Sequence, residues 1–201
     1  MASTRRVVFL PGASGDDTFW VDVGSRLPPA WERVHLGWPG LGDQAADPSV
    51  RGYGDLVERV LGVLERPSDL VAQSMGGVVA VSVAARAPGL VRRLVLSATS
   101  GGIDMGRLGA VDWREEYGRV FPRAAAWVGD PHPDQTELLR RIESPTLLLW
   151  GDADPLSPVA VGERLAELIP GGVLRVISGA THDLALEQPG PVARLIEAHL
   201  R

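Results

Sequence analysis

Three kinds of side chain that can pass a proton along a chain stand in this 201-residue sequence just beyond short apolar runs: a serine, a carboxylate and an imidazole. Ser74 follows Leu70-Val71-Ala72-Gln73 and precedes Met75-Gly76-Gly77. Asp152 and Asp154 follow Pro145 to Trp150, within Gly151-Asp152-Ala153-Asp154-Pro155. His182 follows Val173 to Ile177, within Gly179-Ala180-Thr181-His182-Asp183. A serine hydroxyl is a weak nucleophile until a neighbouring base takes its proton. Imidazole is the side chain whose ordinary pKa suits it to accept and return that proton near neutrality, and a carboxylate can hold it in one tautomer. The set is competent for acyl transfer if folding brings the three together.

The surroundings of Ser74 predict how it is presented. An apolar run ends at the serine, two glycines follow, and a small and aliphatic stretch from Val78 to Ala87 is stopped by Pro88. That pattern reads as strand, tight turn and helix, with Ser74 at the apex. Such a turn throws its apical side chain clear of the sheet and crowds the residues two before and two after, here the small Ala72 and Gly76. The hydroxyl then faces the positive end of a helix, whose first N–H groups lack intrahelical acceptors and can stabilise an oxyanion. The motif is G-x-S-x-G with Ala72 in the first glycine position. Taken alone, it also describes a serine capping an ordinary buried helix.

The rest of the chain supplies the frame. Arg6 to Leu10 is a short aliphatic run closed by the loop Pro11-Gly12-Ala13-Ser14-Gly15, and Glu32 to Gly37 reads as a second strand. Between them a helix carries Phe19, Trp20 and Val23, with Asp16 or Asp17 as its cap. Tyr53, Leu56, Val57, Val60, Leu61 and Leu64 recur at helical spacing. Val91 to Ala98, Pro145 to Trp150 and Val173 to Ile177 are further strands, with helices opened by Ser157-Pro158 and following Pro189. The strands read as continuous apolar runs, as strands covered on both faces do. Strands alternating with helices predict an α/β fold, a mostly parallel sheet of about six strands with helices on both faces. Residues 99–143 break the rhythm after the fourth strand and include a helical stretch around 111–128. In an open parallel sheet reactive groups collect beyond the carboxyl ends of the strands, where Ser74, the two aspartates and His182 all fall.

Composition narrows the partners. A formal net charge of −5, with 45% apolar and 22% charged residues, gives no basic face for nucleic acid or an anionic membrane. No apolar run is long enough to span a bilayer, and the stretch before Pro11 is too short for a signal-peptide core. The chain has no cysteine, which fits a cytoplasmic location and removes disulfides and thiolate metal sites. It also has neither lysine nor asparagine, so a Schiff-base lysine and an asparagine oxyanion donor are excluded. The partner expected is a small-molecule substrate, with no metal or organic cofactor.

With Leu-Pro-Gly at residues 10–12, Ala-Gln-Ser-Met-Gly-Gly at 72–77, Leu-Leu-Trp-Gly-Asp-Ala-Asp-Pro at 148–155 and Gly-Ala-Thr-His-Asp at 179–183, the chain resembles the α/β-hydrolases. The order Ser, Asp, His is the one expected of that fold. The resemblance implies a single domain over residues 1–201, trimmed at its N-terminus, with 99–143 as a short helical lid. It implies Ser74 as nucleophile, His182 as general base and acid, and Asp154 as the carboxylate, since the family pattern places an Asp before Pro; Asp152 is the rival. The oxyanion hole would be the backbone N–H groups of Ala13 and Met75, although Pro11 stands where relatives often carry His. Trp113, Tyr117 and Phe121 form an aromatic stripe that either packs the lid down or lines an apolar acyl site, and Met105 is placed with them. The activity implied is hydrolysis of a small-to-medium apolar carboxylic ester or thioester through an acyl-enzyme. Relatives with these motifs also cleave C–C bonds, amides or lactones, or make peracids, and a binding protein could retain the fold.

Overall fold

A computed structural model describes residues 4–201. Met1 to Ser3, which open the N-terminal stretch considered as a leader, lie outside the described residues. Six strands form one sheet: β1 (Arg6–Leu10), β2 (Glu32–His35), β3 (Ser68–Gln73), β4 (Val91–Ser97), β5 (Thr146–Gly151) and β6 (Val173–Ile177). Their spatial order is β2-β1-β3-β4-β5-β6, and every neighbouring pair is parallel. The chain runs outward from β1 to the β2 edge, then crosses back to β3 and proceeds the other way. The strand order therefore reverses between β1 and β3, where a parallel sheet opens a crevice beyond its carboxyl ends.

The alternation of side chains across the sheet builds two cores. On one face Val8, Leu10, Leu70, Ala72, Leu94, Leu96, Leu148 and Trp150 pack in a single buried cluster with the apolar sides of α2 (Tyr53–Val63), α3 (Met75–Arg86) and α6 (Val159–Leu168). On the other, Val7, Phe9, Val71, Val95, Leu147 and Leu149 meet α1 (Val21–Ser25), α7 (Leu184–Glu187) and α8 (Pro189–Leu200). Helix α3 is buried from Gly76 to Ala84, which explains its lack of a polar face. Among the described residues no helix is long and apolar enough to cross a membrane.

Between β4 and β5 lie α4 (Arg114–Val120) and α5 (Thr136–Leu139), with 3-10 turns at Gly106–Leu108 and Ala126–Gly129. The helical stretch expected over 111–128 is thus interrupted. Pro122 disfavours the α region for the residue before it, and Phe121 leaves the helix at φ −120°, ψ 67°. The first helix also differs from expectation: it starts at Val21 with no side-chain cap. Asp16 instead closes a turn, accepting from the N–H and hydroxyl of Thr18 at 2.8 and 2.7 Å. Single-turn helices such as α5 and α7 are too short to leave a periodic trace in a sequence.

One feature of the second core makes stability depend on pH. His35 lies flat on Phe9, ring centroids 4.6 Å apart at 7°, and its Nδ1 is buried with no partner among the described residues. Burial pushes its pKa below the ordinary 6.5; Asp17 opposes this and Arg33 adds to it. The unfolded chain takes up the proton first, so the stability His35 contributes is complete above its unfolded pKa of about 6.5 and is lost as pH falls below that. Thermal unfolding at several pH values should show Tm falling from roughly pH 7 to 5, and falling less steeply in His35→Gln. His199, also held low by burial, supplies part of the remaining slope.

Candidate active site

Ser74 sits between the last residue of β3 and the first of α3, with φ 52° and ψ −122°. Backbone in this region is strained for a residue with a Cβ and persists only where the surroundings over-determine it. Here they do. The Ser74 N–H donates to the Ser97 carbonyl at 2.9 Å, and the Ser74 carbonyl accepts from the Gly77 N–H at 2.9 Å and from Thr99 Oγ1 at 2.6 Å. The turn is also packed against the end of β1: a Cβ on Gly76 would lie 2.3 Å from the Pro11 carbonyl oxygen. That contact is the physical reason for a glycine two residues after the serine. Ser74 itself is half-buried and reaches the surface of a cleft.

The structure joins Asp154 to His182. The imidazole Nδ1 lies 2.8 Å from Asp154 Oδ2, with the carboxylate fully buried and the imidazole 19% exposed. Asp154 Oδ1 accepts from the N–H groups of Leu156 and Ser157 at 2.8 and 3.0 Å. An ionised carboxylate only accepts, so Nδ1 must be the donor, and in the neutral ring Nε2 is left as the acceptor. Asp152 has other work: its carboxylate accepts from Ser178 Oγ at 3.0 Å and from the Gly179 N–H at 2.6 Å, closing the turn after β6. Among the described residues Ser74 Oγ makes no hydrogen bond to His182, although both line the same cleft. Contacts of this type are often long in unliganded sites and tighten when substrate arrives.

Ala13 and Met75 flank Ser74 on the same cleft. Met75 is the first residue of α3, where an N–H has no intrahelical acceptor. Ala13 lies in a turn beyond β1 closed by the Gly15 N–H on the Gly12 carbonyl at 3.1 Å. Two indole N–H groups brace the chain just before it, Trp20 on the Leu10 carbonyl at 3.0 Å and Trp38 on the Pro11 carbonyl at 2.8 Å.

Two residues without a role in the sequence reading prove central to this geometry. Thr99 is buried, and besides holding the Ser74 carbonyl its Oγ1 accepts from the Gly101 N–H at 3.0 Å. Gln73 is also buried; its amide donates to the His182 carbonyl at 3.4 Å and its Oε1 would lie 2.2 Å from a Cβ on Gly12. It thus wedges the loop after β1 against the loop carrying His182. Neither leaves a local signal in the sequence, because Thr99 acts on the Ser74 carbonyl and Gln73 on the loop carrying His182, both distant along the chain.

The cleft has a volume of about 1570 Å3, and Met105, Trp113 and Tyr117 all line it. Trp113 and Tyr117 meet edge to face, centroids 5.4 Å apart at 90°, and Tyr117 meets Phe121 at 5.0 Å. Met105 is partly buried against the core on the α3 face. Asp183, next to His182, also borders the cleft, and burial pushes its carboxyl above the ordinary range while His182 opposes the shift. His132 reaches the cleft rim beside Tyr53, ring centroids 6.3 Å apart.

A parallel sheet with a strained serine at the turn after its third strand, at the crevice where strand order reverses, is the architecture of an α/β-hydrolase fold. The chain belongs to the alpha/beta hydrolase family, whose profile matches residues 7–195. It is 27% identical over 228 aligned positions to a pimeloyl-[acyl-carrier protein] methyl ester esterase of Neisseria meningitidis, covering 90% of this chain and 86% of that one. It is 30% identical to a probable cadicidin biosynthesis thioesterase of Streptomyces griseus, over 89% of this chain and 58% of that protein. A thermophilic esterase from Thermogutta terrifontis shares the fold with a TM-score of 0.82 at 24% identity, covering 99% of this chain and 90% of that one.

If Thr99 Oγ1 holds the turn at Ser74, Thr99→Val should leave the Gly101 N–H unpaired at nearly constant side-chain volume. A denaturant titration should show a loss of about 1–3 kcal/mol.

Proposed function

We propose that this chain is a serine hydrolase that cleaves a carboxylic ester or thioester through an acyl-enzyme. The observation that carries the reading is the 2.8 Å contact of His182 Nδ1 with a fully buried Asp154, in a cleft shared with a strained Ser74. In this reading His182 Nε2 takes the proton of Ser74 Oγ as the oxygen attacks the substrate carbonyl carbon. Electrons move onto the carbonyl oxygen, which is met by the N–H groups of Met75 and Ala13. Collapse of the tetrahedral species expels the alcohol or thiol, which takes the proton from His182. Water then enters: His182 removes its proton, the hydroxide oxygen attacks the acyl carbon, and Ser74 leaves as the alcohol after reprotonation. Asp154 stays ionised and stabilises the imidazolium in both halves.

Residues 99–143 act as a lid in this reading, and Met105, Trp113 and Tyr117 line the acyl site. The cleft exceeds the roughly 300–1,000 Å3 of a drug-sized pocket, leaving room for an acyl chain beyond that of a minimal ester. The names of the relatives, an ester hydrolase and a probable thioesterase, support the bond type. The composition reading of a small-molecule substrate in a cytoplasmic setting belongs to the same proposal.

A fluorophosphonate probe should form a covalent adduct at Ser74 of the intact protein and none in Ser74→Ala. Hydrolysis of a short-chain nitrophenyl ester should drop at least ~10³-fold in that variant. Absence of both adduct and hydrolysis in the folded wild type overturns the reading. The two aspartates should separate in the same assay. Asp154→Asn should lower kcat by about 10⁴-fold, because an amide donating to Nδ1 forces the wrong tautomer. Asp152→Ala should keep kcat within about tenfold and lower Tm instead, since it removes the acceptor for the Gly179 N–H and the Ser178 hydroxyl in the turn after β6.

A further inference from the structure

The hydroxyl of Tyr117 is engaged twice, both times with backbone. It donates to the carbonyl oxygen of Ala13 and accepts from the N–H of Gly42, each at 2.8 Å. Tyr117 lies in α4, 104 residues along the chain from Ala13. One side chain therefore ties the 99–143 segment to two loops at the carboxyl edge of the sheet.

Ala13 is the residue whose N–H the proposed function places in the oxyanion hole, and the role of the Tyr117 hydroxyl rests on that reading. The peptide unit before Ala13 is held by the Gly15 N–H on the Gly12 oxygen. The peptide unit after it is held by the Tyr117 hydroxyl on the Ala13 oxygen. Peptide units are planar, so pinning the oxygen on each side leaves the intervening residue little rotation and fixes the aim of its N–H. The anchor on the other side of the hydroxyl is rigid. Gly42 adopts φ 53°, and a Cβ there would lie 2.1 Å from the Ser14 carbonyl oxygen, so loops 38–43 and 11–15 meet backbone to backbone. The Trp38 N–H on the Gly15 oxygen, at 3.0 Å, joins the same two loops. Burial raises the pKa of the Tyr117 phenol, with Asp43 adding to the effect and the Gly42 N–H opposing it, so the phenol keeps the proton it donates.

We propose that Tyr117 is a positioning residue for the oxyanion hole: its hydroxyl couples the placement of the lid to the aim of the Ala13 N–H. A lid that lifts α4 withdraws the strut from Ala13, and turnover falls with it. The phenyl ring is held separately, between Trp113 and Phe121, so the hydroxyl can be removed while the aromatic packing stays.

The test is Tyr117→Phe, with three readouts on the intact chain. The first is kcat and KM for a nitrophenyl ester. The second is Ki for an alkylboronic acid, whose boron accepts the Ser74 oxygen and places a hydroxyl where the oxyanion would sit. The third is Ki for the alcohol of the same alkyl chain, which fills the acyl site without bonding to the serine. We expect kcat to fall about tenfold or more with KM within about twofold, because the donor is misaimed rather than removed. The boronic acid Ki should rise by the same factor as kcat falls, and the alcohol Ki should not move. Phe121→Leu, which loosens the packing of α4 but keeps the hydroxyl, should leave the ratio of the two Ki values at its wild-type level. Equal rises in both Ki values in Tyr117→Phe, a rise in KM alone, or no change at all would overturn the coupling and leave Tyr117 as a wall of the acyl site. A wild-type protein that neither hydrolyses the ester nor binds the boronic acid would bring down the serine-hydrolase reading itself.

Discussion

The backbone at Ser74 is held where an L-residue rests at a cost, and the architecture around it is what keeps it there. A φ of 52° with ψ −122° is sparsely populated because the Cβ crowds neighbouring backbone atoms. The conformation survives because three elements converge on one residue: β4 through the Ser97 carbonyl, the chain beyond β4 through Thr99, and α3 through the Gly77 N–H. The end of β1 then fills the space that a side chain at position 76 would need. Sheet order, helix start and loop path are thus fixed by a common requirement, that a short side chain stand at the crevice between β1 and β3.

A second constraint is the burial of a carboxylate. A charge removed from water persists only with its acceptor sites filled. Asp154 meets that condition with two backbone N–H groups on one oxygen and the imidazole on the other. Because the backbone groups are fixed in the loop, they set the plane of the carboxylate, and Oδ2 is presented to the imidazole in one orientation. Asp152, two residues earlier, is satisfied by its own turn. The two acids thus differ in what their surroundings ask of them.

Much of this was legible in the residues. Val7 to Leu10, Leu70 to Ala72 and Leu147 to Trp150 are continuous apolar runs because both faces of the sheet are covered, and that signal survives without any coordinates. The short residues at 72 and 76 and the Ser, Asp, His order pointed to one sheet edge. In the sequence Asp154 is preferred to Asp152 only through the family's Asp-before-Pro pattern; the physical difference between them is tertiary, in that Asp154 meets the imidazole and Asp152 the Gly179 N–H. The roles of Thr99, Gln73 and the Tyr117 hydroxyl leave no comparable trace, because each acts on a backbone group distant in sequence and no local pattern marks such a contact. The shortness of α4, by contrast, was written in Pro122 and was there to be read.

The 99–143 segment makes backbone contacts at both of its shoulders. Ala125 donates to the Gly40 carbonyl at 2.7 Å, and Val111 donates to the carbonyl of Pro155, the residue after Asp154, at 3.0 Å. A segment sewn to the scaffold in this way is not an interchangeable module. Chimeras that import the corresponding stretch from a relative would inherit a new cavity shape together with a broken set of stitches to residues 40, 42 and 155. Recasting the substrate preference of this scaffold therefore calls for point changes on the cavity-facing side of the segment, with its seams left as they are.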